Sequence, residues 1–415
     1  MNFSLNKAAS GLPLLLCLFS AESFATTLQQ VFQATQLHTA ELPANNLKVS
    51  AFHAMADSAL QLPDPKLEFG IQNAPVQGSN HARFTRQQMT TEKIGIMQEY
   101  VSSTKRERTS DVFNAEARAT EANSGIIRAR LQREAALAWF DLAFSEKKLH
   151  VIQQTLVEIS RQNRVQIAGV ASGAASASNT LDVQLTLNAI KNDEDTARSD
   201  IQKAQARLLE LTGQKITETS GTLPRINRLP ADENVLIQGI QLHPDVIQAS
   251  REAELAKTES ERSAVASIPD VGVEVYYGRR EDYEDVGGIM FTVDLPLFQA
   301  QRQDKVHSAD VMRAYAAADD LTTLIRDQRN QLTALISNYH AVKTINERQQ
   351  QVVLPLLRRK VTLLTSQYQQ GSSGMNELLA ARREELNGRI AGVNTEKALA
   401  EAWTAIRYLV PQEVE

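Results

Sequence analysis

The chain has 415 residues, with 44 Lys and Arg against 49 Asp and Glu and a formal charge of −5. It contains 18 Gly, 12 Pro and 5% aromatic residues, a composition that favours long helices over many compact elements. Basic residues are scattered among acidic ones, which argues against nucleic-acid binding. No segment after residue 25 has the roughly 18 consecutive apolar residues of a membrane-spanning helix, so any crossing of a membrane must use strands.

The first 25 residues have the pattern of a secretory signal peptide. An apolar run from Leu12 to Phe19 precedes Ser23 and Ala25, small residues at the two positions that a signal peptidase reads. We therefore expect export and cleavage after Ala25. Lipidation of Cys17 is the alternative, but Leu16 occupies a position where such a site needs a small residue.

A helical pattern runs from about Leu28 to Leu60 and is followed by two segments in which apolar and polar residues alternate. Alternation with period two predicts strands that have one apolar and one polar face. A polar loop from about Gly78 to Thr90 separates the two segments, so they form a hairpin. The apolar positions are Leu67, Phe69 and Ile71, then Ile94, Ile96 and Tyr100. Each strand has about ten residues, the length that crosses an outer membrane at a tilt.

A very long helix is predicted after this hairpin. From about Lys105 to Ala168 there is no proline, and apolar residues recur at spacings of three and four. Roughly 64 residues would extend about 95 Å. A turn rich in Gly, Ala and Ser, from Gly169 to Asn179, leads to an antiparallel helix from about Thr180 to Leu211. The first half is therefore a strand hairpin followed by a helical hairpin.

The same order returns after a linker from Thr212 to Asp232. A helical pattern from Glu233 to Ser267 precedes two further alternating segments, whose apolar positions are Val271, Val273, Val275 and Tyr277, then Ile289, Phe291, Val293 and Leu295. Because Arg106 and Arg302 occupy equivalent places about 196 residues apart, the pattern indicates duplication of a whole module.

The second helical hairpin mirrors the first. Its outgoing helix runs from about Gln303 to Gln370, with a kink or break expected at Pro355. A short turn from Gly371 to Gly374 leads to the returning helix, which runs from Met375 to about Leu409.

Four strands cannot close a barrel. A half-buried hairpin on a soluble sheet would show the same alternation, but the rest of the chain is nearly all helical and offers no soluble sheet to join. In lipid, open sheet edges leave unpaired backbone groups that cost several kcal/mol each, so copies of the chain must share a barrel. Leu67, Phe69, Val273 and Phe291 would then face lipid, with Glu68, Glu274 and Thr292 facing the lumen.

The repeated order of helix, strand hairpin, long helix, tip turn and returning helix resembles the TolC-like outer-membrane efflux family, across essentially the whole chain after the signal. Three short motifs are most similar to its heavy-metal branch, the cobalt-zinc-cadmium or copper-silver exporters: Leu62 to Pro65 with Asn73 and Pro75, His243 to Asp245, and Leu295 to Phe298. The resemblance implies a mostly α fold with transmembrane β-strands. Three copies would share a 12-stranded barrel above a periplasmic α-helical tunnel.

The resemblance also implies a function and partners. The chain would be the outer-membrane channel subunit of a tripartite efflux pump in a Gram-negative cell, conducting heavy-metal cations from the periplasm to the outside. Its partners would be two further copies, outer-membrane lipid, a periplasmic adaptor and an inner-membrane transporter of the resistance-nodulation-division type. Export of drugs or other organic molecules, or type I protein secretion, is the alternative within the family.

Two alternatives come from other classes of protein. A periplasmic coiled-coil adaptor or structural protein would explain the signal and the helices, but not the strand hairpins or the duplication. A secreted enzyme is the third reading, and no catalytic motif favours it. The seven His residues lie far apart without metal-ligating spacing, and there is no phosphate-binding glycine loop or nucleophile elbow. We expect no enzymatic activity and no cofactor.

The predicted partition of the chain follows this architecture. Residues 1–25 form the signal, 26–64 a helical periplasmic segment, 65–103 the first transmembrane β-hairpin and 104–212 the first helical hairpin. Residues 213–268 form a linker and helix at the equator, 269–299 the second β-hairpin, and 300–415 the second helical hairpin with the C terminus.

Candidate functional residues lie at the two tip turns, which in the family meet the adaptor and narrow the pore. Tyr368, Gly371 and Glu377 have the spacing of the family's second tip, and Glu377 would join a ring of three carboxylates that selects cations. Glu377 could equally be a solvated acid at the start of a helix. Asp182 matches the acid after the first tip, although that turn carries two extra residues. The docking candidates are Gly173, Ala174, Ser176, Gly371, Ser372 and Gly374.

Overall fold

The computed structural model describes residues 26–79, 81, 87–172 and 176–410. The predicted signal peptide with Cys17, and the tip residues Gly173 and Ala174, lie outside the described residues.

Two helices replace the single helix predicted after the signal. Helix α1 spans Leu28–His38 and helix α2 spans Glu41–Ala59. Pro43 lies in the first turn of α2, where its missing N–H is tolerated, but it could not continue a helix by bonding to the carbonyl of Thr39. The chain therefore turns between the two helices.

The four strands form one antiparallel sheet in the order β1 (Lys66–Gln72), β2 (Thr91–Tyr100), β3 (Val271–Arg279) and β4 (Val286–Val293). The two hairpins meet through β2 and β3, where Ile96 lies opposite Val275. The strands have 7, 10, 9 and 8 residues, so the prediction of about ten is too long for β1 and β4. Strand β4 ends before Pro296, which cannot donate to a ladder.

Two long helical hairpins extend from the sheet, as predicted. The first pairs α3 (Ser103–Ala171) with α4 (Ala177–Thr212); the 69 residues of α3 give a length of about 104 Å. The second joins α7 (Gln303–Arg348) and α8 (Leu354–Gln369) through one π-helical segment, Gln349–Val353, and returns as α9 (Met375–Arg407). The break predicted at Pro355 is confirmed, because Pro355 lies in the first turn of α8.

The observed elements repeat with a nearly constant offset. Strand β4 begins at Val286, 195 residues after β2 begins at Thr91. Helix α9 begins at Met375, 198 residues after α4 begins at Ala177. The order predicted from the duplication is therefore confirmed in space.

The segment before β3 departs from the single helix predicted over residues 233 to 267. It consists of α5 (Glu233–Gln238), a 3₁₀ turn (Gly239–Leu242) and α6 (Pro244–Ala264). His243 caps α6, because its Nδ1 accepts a hydrogen bond of 3.2 Å from the N–H of Asp245. His243 is thus a helix-start residue, as its position before Pro244 indicated.

The main core lies near the middle of the long helices, where α1, the 213–232 linker, α3 and α9 come together. Trp139 and Phe140 are fully buried, and Trp139 donates from Nε1 to the carbonyl of Thr26 at 2.9 Å. Tyr339 of α7 donates in the same way to the linker carbonyl of Ile226 at 2.9 Å. The linker is therefore part of the packed body.

Glu146 of α3 fastens the same linker. It accepts hydrogen bonds from the N–H and the hydroxyl of Thr219 at 3.2 and 2.6 Å. Burial raises the pKa of Glu146, and these two donors act in the opposite direction. No described helix has the length and apolar character needed to span a bilayer.

Candidate pore and docking site

The two faces of the sheet differ sharply in chemistry. One face carries Leu67, Phe69, Val273 and Phe291, as the strand register requires, and both phenylalanines are exposed, by 81% and 68%. The other face carries Glu68, Glu274 and Thr292. The predicted alternation of faces is therefore present, and the phenylalanines of the apolar face are largely exposed in this chain.

The two tips lie side by side at the end of the helical hairpins. Gln166 near the end of α3 donates from Nε2 to the hydroxyl of Tyr368 near the end of α8, at 2.8 Å. Gln162, one turn earlier, donates to the Sδ of buried Met375 at 3.3 Å. Tyr368, selected as a pore candidate, thus joins the second hairpin to the first. Its partner Gln166 was not predicted.

The second tip turn is tight and depends on a glycine. Gly371 has a φ of 72°, a conformation that favours glycine over other residues. Its N–H donates to the carbonyl of Tyr368 at 3.0 Å. Ser372 donates from both its N–H and its hydroxyl to the carbonyl of Gln367, at 2.9 and 3.0 Å. The turn closes α8 by satisfying carbonyls that the helix end leaves free.

Glu377 lies in the first turn of α9 and is exposed. It accepts a hydrogen bond of 2.9 Å from the hydroxyl of Ser373. Gly374, the N-cap residue, contributes no side-chain bond, so the acid is the negative group at this helix start. This position fits the interpretation of Glu377 as a helix-start acid, and the exposed carboxylate is also accessible to an ion.

Asp182 lies beside a groove between α4 and α9. The groove has a volume of about 370 Å³ and is lined on the α9 side by residues that include Asn376, Leu379 and Arg383. Arg383 forms an ion pair of 2.6 Å with Asp193 further along α4. Asp182 and Glu377 therefore belong to neighbouring helices at the same end of the molecule.

Exposed leucines flank this groove and were not identified from the sequence. Leu181 and Leu185 of α4 are 61% and 69% exposed. They are four residues apart, so they share one face of the helix. That spacing was readable in the sequence, but it is the same spacing that core residues of α3 use. Ser176, a predicted docking residue, caps α4 by accepting from the N–H of Ser178 at 3.3 Å.

Metal ligation by the described residues is not evident. Across residues 26–79, 81, 87–172 and 176–410, no group of three or more His, Cys, Asp or Glu could hold a metal ion.

Comparison with known proteins gives matches in structure only. No protein-family model matches the sequence, and no curated protein is significantly similar to it. The chain is similar to CusC, solved in a study of folding and transmembrane channel formation, with 14% identity, a TM-score of 0.74, and 93% and 92% of the two chains covered.

Two further solved structures match over the same extent. The outer-membrane protein VceC from Vibrio cholerae is 17% identical, with a TM-score of 0.70 and coverage of 92% of this chain and 95% of that one. The open state of the MtrE outer-membrane channel from Neisseria gonorrhoeae is 15% identical, with a TM-score of 0.71 and coverage of 92% and 88%. The matched channel proteins are not enzymes. The chain therefore has the mostly helical fold of the outer-membrane channels, as its resemblance to the TolC-like proteins implied.

Proposed function

We propose that the chain is the outer-membrane channel subunit of a tripartite efflux pump in a Gram-negative cell. Three copies would share a 12-stranded barrel that continues into a periplasmic α-helical tunnel. The observation that carries the proposal is the sheet, where the large apolar Phe69 and Phe291 are exposed while the charged Lys93 and Glu274 are buried. Water is a poor surrounding for such a sheet, whereas lipid is a suitable one.

The sheet edges support assembly from several copies. Strands β1 and β4 each have one neighbour in the sheet, so each offers an unpaired row of backbone groups. Within lipid such a row costs several kcal/mol per group unless another strand covers it. Joining β4 of one copy to β1 of the next removes every edge when the ring closes, and three copies supply twelve strands.

The far end of the helices is the proposed meeting point with a periplasmic adaptor. The exposed Leu181 and Leu185, beside the groove at Asp182, form an apolar stripe that a partner helix could cover. The small residues Ser176, Gly371, Ser372 and Gly374 allow close backbone approach there. An inner-membrane transporter of the resistance-nodulation-division type would supply the energy, since the sequence contains no phosphate-binding glycine loop.

Heavy-metal cations are the proposed cargo. The support is the similarity of the three short motifs to the metal-exporting branch, together with the carboxylates of Glu377 and Asp182 at the tunnel end. Three copies of Glu377 would place three carboxylates around the axis, where they would raise the local cation concentration. Drug or organic export and type I protein secretion use the same architecture and remain the alternatives.

Deleting residues 269–298 tests the channel assignment. The second hairpin would be lost, so the barrel would have only two strands per copy and could not close in the same form. We expect heat-modifiable trimers in outer-membrane fractions from the full chain and none from the deletion variant. A full-length protein recovered as a periplasmic monomer would instead favour the adaptor class, and a monomer inserted in the membrane would contradict the edge argument.

Substitutions at the second tip test the docking and gating roles. Ser372→Trp or Gly374→Trp should reduce crosslinking to the adaptor without lowering the amount of trimer. Glu377→Lys should reduce the cation conductance of purified channels in planar bilayers, with Glu377→Gln giving a smaller reduction because it removes charge without reversing it. Wild-type crosslinking and conductance in all these variants would show that the tips are passive turns.

A further inference from the structure

A lysine is buried on the polar face of the sheet, between two carboxylates. The side chains of Lys93 on β2 and Glu274 on β3 are 8% and 7% exposed and form a direct ion pair. The Nζ of Lys93 also lies 3.8 Å from a carboxylate oxygen of Glu68 on β1 and 4.8 Å from the ring centroid of Tyr276. One cation therefore links acids from both hairpins.

Glycines make the room in which this group lies flat against the sheet. The register places Gly95, Tyr276 and Gly288 in one row across three strands. A Cβ at Gly95 would lie 2.6 Å from Oε1 of Glu274, and one at Gly288 would lie 2.5 Å from the Tyr276 hydroxyl. A larger residue at Gly95 would displace the Glu274 carboxylate, and one at Gly288 would displace the Tyr276 ring.

The charges of the group do not cancel. Glu68 and Glu274 contribute two negative charges and Lys93 contributes one positive charge, so each chain carries a net charge of −1 at this level. The other ion pair on the same face, between Lys66 and Glu99 at 3.5 Å, is neutral as a pair. An excess of negative charge thus remains on the face that the proposed barrel turns toward its lumen.

We propose that Glu68, Lys93 and Glu274 form a second charge-selecting ring inside the barrel, separate from the tip. This inference rests on the proposed channel function. Threefold symmetry would place three net negative charges at one level of the lumen, and these would favour inorganic cations over anions at the outer end of the path. Lys93 pairs with both acids of the ring and reduces their combined charge from −2 to −1.

The expected size of the effect is modest and depends on salt. Three unit charges about 10 Å from a passing ion, screened over about 8 Å at 0.15 M salt, change its local concentration by about twofold. At 1 M salt the screening length falls to about 3 Å, so the effect should nearly vanish.

The test measures the cation-to-anion permeability ratio of purified trimers in planar bilayers under a KCl gradient. The ratio should follow the net charge of the group. It should be highest for Lys93→Gln, lower for the wild type, lower again for Glu274→Gln and lowest for the double variant Glu68→Gln/Glu274→Gln. Each step should be about twofold at 0.15 M salt. Glu92→Gln is the matched control, because Glu92 lies on the same strand but on the opposite face.

The double variant Lys93→Gln/Glu274→Gln separates selection from folding, since it leaves neither partner of the buried pair charged and keeps the net charge of −1. It should assemble and retain the wild-type ratio even if the single variants fail to assemble. Assembled variants that all share the wild-type ratio would overturn the proposal and leave the group as a structural ion pair. A wild-type protein that forms no channels would instead contradict the proposed function.

Discussion

The sheet and the middle of the helical bundle bury opposite kinds of residue. In the bundle, Trp139 and Phe140 are 2% and 0% exposed and pack edge to face, with ring centroids 5.4 Å apart. In the sheet, Phe69 and Phe291 point outward while Lys93 and Glu274 are covered. The bundle therefore follows the rule for proteins in water, and the sheet reverses it.

The difference shows where each region obtains its stability. The bundle contains its own core, since side chains from α1, the linker, α3 and α9 cover one another within a single chain. The sheet gains little from burying apolar area within the chain, so its stability must come from its surroundings and from strand pairing. Substitutions that alter burial should accordingly act on folding in the bundle and on membrane assembly in the sheet.

The largest effect is expected at Trp139. Trp139→Ala would remove a buried ring and one of the two donors to the carbonyl of Thr26, which keeps its bond from the N–H of Ser220; the loss should cost about 3–5 kcal/mol of unfolding free energy. Chemical denaturation of the purified protein measures this cost. Phe298→Ala is the control, because Phe298 is 71% exposed and should change stability little. Equal losses at both positions would show that burial in the bundle is not what stabilises the chain.

The next largest effect is a difference between substitutions on the two faces of β4. Phe291→Arg would place a charge on the apolar face and should cost about 2–4 kcal/mol if the residue lies near the middle of a bilayer. Thr292→Arg, one position along on the polar face, should cost much less. The yield of trimer in outer-membrane fractions reports both, and equal tolerance would show that the exposed face does not meet lipid.

The smallest effect concerns two glycines that lie opposite Lys93 on neighbouring strands. A Cβ at Gly278 would overlap Cγ2 of Thr91, whereas nothing lies within 4 Å of one at Gly70. Gly278→Val should therefore cost about 1–3 kcal/mol through overpacking. Gly70→Val should be neutral or slightly favourable, since valine suits a strand. Thermal dissociation of the trimer would measure both, and a costly Gly70→Val would show a neighbour at β1 that this chain lacks.

Regular periodicity made the helices and strands predictable. Their ends were predicted less accurately where a proline interrupts the backbone hydrogen bonding. Alternation located all four strands, but Leu295 continued the apolar pattern up to Pro296, so β4 was predicted to be too long. Likewise, Pro43 was read as part of one helix, although it lies in the first turn of a second. A pattern of side chains records which face is apolar, whereas the end of an element depends on backbone donors.

The contacts at the tips could not be predicted in the same way. Tyr368 was selected for its spacing from Gly371 and Glu377, yet its bonded partner Gln166 is 202 residues away in the sequence. Neither residue type indicates such a pair, since glutamine and tyrosine are common on exposed helix surfaces. The groove beside Asp182 is likewise formed by two helices from different halves. Sequence gave candidates for the tips, and tertiary packing decided their neighbours.

The π-helical segment at Gln349–Val353 changes the heptad frame of the second hairpin. Before it, Leu332, Tyr339 and Asn346 occupy one frame of seven; after it, the frame continues from Leu354 to Val361 and Tyr368, eight residues on from Asn346. The segment therefore absorbs one skip residue, and Gln349 and Gln350 bond to the carbonyls of Gly388 and Gly392 as the helix passes α9. In an unbroken frame the tyrosine would lie about 100° around the helix from the first hairpin. The skip is what brings its hydroxyl to Gln166.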